Sequence, residues 1–270
     1  MMFELSAGFR IYFLVLDFVL GAVLGSFINC LAWRKVHGES VWKGRSHCAV
    51  CGHVLSAADL IPVFSYLFLK GRCRYCKEKI SPRYMATELL LGFVFTGLFL
   101  KYGLSVETLR LSVFSCVLLA LSLVDLESYE IPDSFLLFGA VWWLVTIPLL
   151  VWKSGQTDGS FSVKTELAQG LLGGLLIAGG LLAVSLLFDK LLGKESMGGG
   201  DIKLLFVTGL YLGPWSNLLN LILACVVGLV FVVGMKQKKI PFGPSIAISA
   251  YLCLLFGSQF VSWYLGLIGL

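Results

Sequence analysis

Long apolar runs separated by short polar segments make up most of the chain. A helix needs about 20 apolar residues to cross the roughly 30 Å of hydrocarbon in a bilayer, and most of these runs approach that length. The sequence therefore predicts an all-α polytopic membrane protein, a bundle of about eight transmembrane helices. The helices are predicted near 11–33, 85–101, 106–124, 135–152, 167–188, 204–214, 216–235 and 243–266. The sixth of these is short and interrupted by glycines.

The amino-acid composition agrees with a membrane protein. Of the 270 residues, 58% are hydrophobic and 14% are charged, whereas a soluble domain is about half apolar and about a quarter charged. The first apolar run is longer than the hydrophobic region of a signal peptide, and no small-residue cleavage site follows it. We therefore expect this run to remain in the mature protein as a membrane helix.

The positions of lysine and arginine predict the orientation of the bundle. Ten of the 21 basic residues fall in the polar loop 34–84, and with eight spans the segments 189–203 and 236–239 lie on the same side, which brings the count there to 16. Basic residues accumulate on the cytoplasmic side of membrane proteins, so both termini are predicted to face outward. Because the basic residues gather in loops at the membrane surface, we attribute the net charge of +5 to contact with membrane lipid. The sequence therefore predicts no nucleic-acid partner.

Four of the eight cysteines form two CxxC pairs in the loop, separated by 21 residues. Each pair can direct two thiolates at one metal ion, and two pairs complete the tetrahedral coordination of Zn²⁺, here a structural zinc because no coordination position stays open. A redox-active pair of dithiols is the alternative. His47 and His53 flank the cluster and are expected not to bind the metal. The predicted ligands are Cys48, Cys51, Cys73 and Cys76.

Carboxylates at membrane depth are costly and are candidates for function. Asp125 ends an apolar run and Asp201 follows three glycines, and the predicted topology puts both at cytoplasmic helix ends, although they are 76 positions apart. In a facing pair, the ionised member can take a proton from water while the protonated member polarises a carbonyl. The alternative is a headgroup-level carboxylate at Asp125 and a helix N-cap at Asp201. Asp17, Glu88 and Asp189 are further carboxylates in or beside apolar runs.

Several segments together resemble the bacterial type IV prepilin peptidases, also called leader peptidase/N-methyltransferases. The similarity covers nearly the whole chain and includes the GxGD motif that ends at Asp201. The matching segments are 25–29 (GSFIN) followed by Arg34, the two CxxC pairs, 80–84 (ISPRY), Asp125 with 131–133 (IPD), 198–204 (GGGDIKL) and 240–244 (IPFGP).

The resemblance implies an aspartic endopeptidase that removes the leader of type IV prepilins or pseudopilins at the cytoplasmic face of the bacterial inner membrane. It implies Asp125 and Asp201 as the catalytic pair. It also implies S-adenosylmethionine-dependent methylation of the new N-terminus, associated with residues 25–34 and the loop. No glycine-rich nucleotide fold marks a binding site for S-adenosylmethionine, and neither its binding residues nor the oligomeric state is predicted.

The corresponding domain organisation has three parts. Residues 1–33 form the first transmembrane helix, 34–84 the four-cysteine zinc-binding loop, and 85–270 the helical peptidase domain.

Two other functions fit parts of the pattern. A non-enzymatic assembly factor or transporter would use the loop to recruit a partner and the aspartates to conduct ions, and a thiol oxidoreductase would use the CxxC pairs. Tightly held zinc would argue against the oxidoreductase, and cleavage of a prepilin would argue against the transporter.

Overall fold

A computed structural model of the chain describes residues 7–41, 43–155, 163–193, 197–235 and 241–267. Four of the lysines used to predict orientation, Lys194, Lys236, Lys238 and Lys239, lie outside these residues, as does Ile240. The described part contains one 3₁₀ turn, Ala57–Leu60, and eight α-helices. They are α1 Ala7–Val36, α2 Phe64–Phe68, α3 Arg83–Tyr102, α4 Val106–Ser128, α5 Asp133–Gly155, α6 Val163–Leu192, α7 Gly199–Met235 and α8 Gly243–Leu267.

Seven of the described helices, all except α2, are long and apolar enough to cross a membrane. The helix α7 is interrupted at Gly213, where φ is 72° and ψ is 177°, just before Pro214. Asn217 Nδ2 donates a hydrogen bond to the carbonyl oxygen of Leu205 at 3.0 Å, although twelve residues of straight helix would separate them by about 18 Å. The chain therefore reverses at Gly213, and the two arms of α7 are the predicted sixth and seventh helices.

Most of the helices extend a few residues beyond their predicted ends, and two of these extensions concern the aspartates. The first arm of α7 begins at Gly199 instead of 204, and α4 continues to Ser128 instead of ending at 124. Asp201 consequently lies inside the first turn of a helix, and Asp125 lies inside the last turn of another. Apolar runs mark the part of a helix in hydrocarbon, and the backbone hydrogen bonds continue past that part into polar residues.

Contacts divide the chain into two units, Met1–Leu123 and Val124–Leu270. In the first unit, α1 packs along α3. A side chain at Gly21 would place its Cβ 2.5 Å from the carbonyl oxygen of Leu91, so glycine is what allows the two backbones to touch, as small residues do between membrane helices. The predicted three-part organisation at 1–33, 34–84 and 85–270 stays a prediction.

In the second unit, α6 and α8 both pack against α7. Gly173 of α6 crosses Gly209 of α7 so closely that a Cβ on Gly209 would lie 2.5 Å from the backbone of Gly173. Buried amides and a hydroxyl stabilise the reversal of α7: Thr208 donates to Asn217 at 3.0 Å and Asn220 donates to Thr208 at 3.2 Å. In hydrocarbon, such hydrogen bonds contribute about 0.6–2 kcal/mol each. The arms of α7 are thus held in antiparallel contact.

Candidate active site

Asp125 is a buried carboxylate in the last turn of α4, with 4% of its surface exposed. Its Oδ2 accepts a hydrogen bond from the backbone N–H of Gly243, the first residue of α8, at 2.9 Å. The first N–H groups of a helix have no partner within the helix, so a carboxylate is a natural acceptor for one of them. A Cβ at Gly243 would lie 2.6 Å from that oxygen. Glycine is therefore required for this contact.

Asp201 is partly buried in the first turn of α7. Its backbone N–H donates to the carbonyl oxygen of Gly198 at 3.1 Å. A Cβ at Gly200 would lie 3.0 Å from Cβ of Ile131, so the glycine run lets α7 begin directly against the segment that follows α4. Asp125 and Asp201 are then close enough for their carboxylates to repel each other. The two aspartates predicted from the sequence come together in the structure.

Two neighbouring carboxylates of this kind can perform acid–base chemistry. Like charges at short range disfavour double ionisation, so one proton is shared by the pair. The ionised carboxylate can accept a proton from water, and the protonated carboxyl can donate one to a carbonyl oxygen. The arrangement of Asp125 and Asp201 is suited to attack of water on an amide.

Two other acidic residues near Asp125 in sequence have different surroundings. Asp133 begins α5 and accepts a hydrogen bond from Lys203 Nζ at 2.8 Å, with both side chains largely exposed. Glu130 is exposed in the connection before α5. Such surface pairs contribute little to stability. The structure therefore distinguishes Asp125 from the nearby acidic residues by its burial and by its partner Gly243.

The first unit contains two further carboxylates within its long apolar helices. Asp17 lies within α1, and its Oδ2 is buried without a hydrogen-bond partner among the described residues. Glu88 is buried in α3 and accepts a hydrogen bond from the backbone N–H of Val63 at 2.7 Å. Val63 has φ of 64°, a conformation that is strained for a β-branched residue. Glu88 thus fixes the loop to α3, a role that the sequence pattern does not reveal.

The four loop cysteines converge as predicted. Their Sγ atoms all lie within 4.8 Å of one another, and those of Cys48 and Cys76 are 3.9 Å apart. A zinc ion with four sulfur ligands at about 2.3 Å places those sulfurs about 3.8 Å apart. The cluster therefore fits a tetrahedral metal ion. Cys73 is buried, whereas Cys51 and Cys76 are exposed.

Each CxxC pair forms a tight turn closed by a backbone hydrogen bond. Gly52 donates to the carbonyl oxygen of Cys48 at 2.8 Å, and Lys77 donates to that of Cys73 at 3.1 Å. The two donors have φ of 68° and 61°. Glycine adopts this conformation without strain, whereas the second turn imposes it on a lysine. The equivalent turns present the two pairs of thiols to a common centre.

Asp59 supports the second CxxC turn and was not among the residues predicted from the sequence. Its side chain is 3% exposed and accepts hydrogen bonds from Ser56 Oγ at 2.7 Å, Arg74 Nε at 2.6 Å and Tyr75 Oη at 3.1 Å. Burial opposes ionisation, but these hydrogen bonds outweigh it and lower the pKa of Asp59 to about 2. Tyr75 also packs against His53, with ring centroids 3.6 Å apart. A single aspartate in a polar loop carries no sequence signal for this role.

The fold and the site define a class: a polytopic helical membrane protein with a carboxylate pair at helix ends and a loop that carries a cluster of four cysteines. Two family descriptions match the chain, the Bacterial Peptidase A24 N-terminal domain over residues 19–102 and the Type IV leader peptidase family over residues 112–233. The chain belongs to the type IV leader peptidase family. The first match contains the cysteine cluster, and the second contains both aspartates.

Individual relatives extend over almost the full chain. The prepilin leader peptidase/N-methyltransferase of Pseudomonas putida is 32% identical over 96% of this chain and 96% of its own length. The protein of the same name from Bacillus subtilis (strain 168) is 30% identical over 92% of this chain and 96% of its own length. That from Dichelobacter nodosus is 33% identical, with 88% and 89% covered. No solved structure gives a significant match.

Proposed function

We propose that this protein is an aspartic endopeptidase that removes the leader of type IV prepilins or pseudopilins and then methylates the new N-terminal amine. The observation that carries the proposal is the meeting of Asp125 and Asp201 at two helix ends within one unit. The names of the relatives supply the substrate class. The transporter and oxidoreductase alternatives are not favoured, because the matching family and the named relatives are leader peptidases.

In the proposed cleavage, the pair acts on a water molecule and on the scissile peptide bond. The ionised carboxylate takes a proton from water, whose oxygen attacks the carbonyl carbon, while the protonated carboxyl donates its proton to the carbonyl oxygen. Collapse of the tetrahedral intermediate breaks the C–N bond and returns the proton of one hydroxyl to the second carboxylate, while the leaving amine takes the proton first removed from water. The N–H of Gly243 holds Oδ2 of Asp125 in a fixed orientation throughout.

The site is proposed to face the cytoplasm at the bacterial inner membrane. Among the described helices, α3 and α4 lie between the basic loop and Asp125, and α5 and α6 lie between Asp125 and Asp201. Two crossings separate each pair, so the loop and both aspartates are proposed to share one side of the membrane. The excess of lysine and arginine makes that side cytoplasmic. A prepilin leader is basic and is followed by a hydrophobic helix, so its cleavage site would reach the membrane surface at this depth.

The metal in the loop is proposed to be Zn²⁺. Four thiolates at tetrahedral spacing are a typical structural zinc site, and they leave no open position for chemistry. In the reducing cytoplasm the thiols bind metal instead of forming disulfides. The ion would hold the two CxxC turns together and thereby order a loop that has little regular secondary structure.

Methylation would use S-adenosylmethionine, which supplies the methyl group to the free amine. The contact between α1 and α3 offers buried polar atoms to a ligand with donor groups. Asn29 is buried, and its Oδ1 has no hydrogen-bond partner among the described residues. Its Nδ2 donates a hydrogen bond to Oγ1 of Thr87, the residue that precedes the buried Glu88 in α3. Asn29 and Glu88 are the residues that we propose would hold S-adenosylmethionine.

Both activities can be tested together on purified protein in detergent or lipid. A prepilin is incubated with the protein and S-adenosylmethionine, and mass spectrometry measures loss of the leader and gain of a methyl group on the new N-terminus. We expect both, with methylation only after cleavage. An intact prepilin would contradict the peptidase, and a cleaved but unmethylated product would contradict the methyltransferase.

Gly243→Ala is expected to reduce cleavage by about ten- to a hundredfold. The added Cβ would lie 2.6 Å from Oδ2 of Asp125, so either the carboxylate or the start of α8 must move, at a cost of about 1–3 kcal/mol. Initial rates of leader removal measure the effect. Gly266→Ala on the same helix is the matched control, because nothing lies within 4 Å of its added Cβ. Equal rates for the two variants would contradict the role of Gly243.

A further inference from the structure

The loop between α1 and α3 exposes an apolar surface on and just before its short helix α2. Phe64, Leu67 and Phe68 of α2 are 59%, 56% and 83% exposed. They occupy positions i, i+3 and i+4, which lie on one face of a helix. Leu60 and Ile61, which precede α2, are exposed as well. We call these five residues the apolar ridge. Large apolar side chains that are exposed together mark an interaction surface.

The other face of α2 is polar and is directed into the loop. Oη of Tyr66 donates a hydrogen bond to the carbonyl oxygen of Ile80 at 3.4 Å. A Cβ at Gly71 would lie 2.8 Å from the same hydroxyl, and Ser65 is half-buried. A helix on the surface of a water-soluble domain has the reverse arrangement, with its apolar face inside and its polar face outside. The orientation of α2 therefore favours an apolar environment outside the loop.

Contacts within the first unit place the apolar ridge at the depth where the membrane begins. The backbone N–H of Val63, the residue before α2, donates to Oε2 of Glu88 at 2.7 Å. Glu88 lies five residues after the start of α3 at Arg83, or about 7.5 Å along the helix axis. Because α3 is long and apolar enough to cross a membrane, its basic first residue is expected among the lipid headgroups. Interfacial helices lie about 5–10 Å into the boundary between headgroups and acyl chains, so the two depths agree.

Basic side chains follow the apolar ridge directly. The segment 60–68 has no charged residue, whereas 69–83 has six basic residues and one acidic residue. Lys70, Arg72 and Lys79 are exposed, and none of the three forms an ion pair among the described residues. An antiparallel β-bridge joins Arg72 to Lys79, so the fold holds two like charges opposite each other, which is unfavourable in isolation. An anionic surface beside them offsets this repulsion.

We propose that the apolar ridge and these three cations form an interfacial anchor, which docks the loop on the anionic surface of the membrane that the protein spans. The apolar side chains enter the boundary between headgroups and acyl chains, and the cations contact lipid phosphates. A lipid surface offers apolar chains and phosphates together at the depth that the bond from Val63 to Glu88 sets. The anchor is independent of the proposed peptidase and methyltransferase activities, and it adds a surface that binds lipid.

Photochemical labelling by lipid tests this proposal in the full-length protein. A benzophenone analogue of phenylalanine replaces Phe68 or, as the control, Val50, which is also apolar, is 69% exposed and lies in the first CxxC turn outside the apolar ridge. The protein is irradiated in nanodiscs of phosphatidylethanolamine and phosphatidylglycerol, and mass spectrometry measures the share that carries a phospholipid. We expect several times more labelling at position 68 than at position 50. Equal labelling, or labelling at 68 only by a second copy of the protein, would overturn the anchor.

A second measurement tests the charged part of the anchor. With the photoreactive residue at position 68, phosphatidylcholine replaces phosphatidylglycerol, or three glutamines replace Lys70, Arg72 and Lys79. Either change removes the attraction between the cations and the anionic surface, so lipid labelling is expected to fall by about three- to tenfold. The lipid exchange leaves the protein unaltered, and its result therefore does not depend on the folding of the triple variant. Labelling that stayed the same in phosphatidylcholine would contradict the assignment of an anionic surface.

Discussion

Replacing Asp125 or Asp201 with asparagine is expected to reduce prepilin cleavage by at least about a thousandfold. Asparagine has nearly the same size and shape, and at position 125 it can still accept the hydrogen bond from the N–H of Gly243. What it cannot do is exchange a proton with water or with a substrate carbonyl. The loss therefore measures chemistry and leaves the packing around α4, α7 and α8 in place.

The two single variants should be almost as inactive as the double variant. Groups that share one proton act as a unit, and removal of either member leaves the other without its function. Initial rates of leader removal, followed by mass spectrometry, give the three values. If the double variant were far slower than either single one, the two aspartates would act independently and the shared-proton mechanism would be wrong.

A nearby carboxylate provides the control for this experiment. Glu130 is five positions from Asp125 and is exposed, so Glu130→Gln removes the same charge without touching the pair. Its cleavage rate is expected to stay within about twofold of the wild type. Retained metal and an unchanged elution volume in detergent establish that all the variants are folded. Cleavage by folded Asp125→Asn at more than about a tenth of the wild-type rate would exclude a catalytic role for Asp125.

Cys73→Ser is expected to lower the zinc affinity of the loop by more than about a hundredfold, because altering residues that merely support metal ligands already costs about ten- to a hundredfold. Cys73 is the buried member of the cluster, so no nearby water can readily replace its thiolate. Structural zinc sites contribute about 10–16 kcal/mol of apparent binding free energy in small domains. The folded loop and the bound ion should therefore be lost together.

Metal analysis and limited trypsin digestion measure these two losses. The loop 34–84 contains ten lysines and arginines, which trypsin reaches once the loop unfolds. We expect rapid cleavage in the loop for Cys73→Ser and for wild type treated with a strong chelator, and slow cleavage for the zinc-loaded protein. Cys225→Ser is the control, because this exposed cysteine lies on α7, outside the cluster. Zinc retained at full stoichiometry by Cys73→Ser would contradict the four-cysteine site.

Local features of the sequence determined the class of fold and the cluster of four cysteines. The length of an apolar run decides whether a helix can cross a bilayer, and this property needs no knowledge of neighbouring segments. The eight predicted helical segments were confirmed for that reason, including the pair that forms the arms of α7. The spacing within each CxxC pair likewise places two thiols on one turn. The pairs Cys48–Cys51 and Cys73–Cys76 could therefore be recognised from the sequence.

Only the tertiary structure decided which distant groups meet. Asp125 and Asp201 are 76 residues apart. The predicted topology put both at one side of the membrane and the resemblance named them as a pair, but their approach depends on where α4 ends and on how α7 begins against the segment after it. The hydrogen bond from Gly243 to Asp125 spans 118 positions. The support of the second CxxC turn by Asp59 also joins residues from different parts of the loop. Such contacts arise from packing between segments, whereas hydrophobic length and ligand spacing are properties of one segment alone.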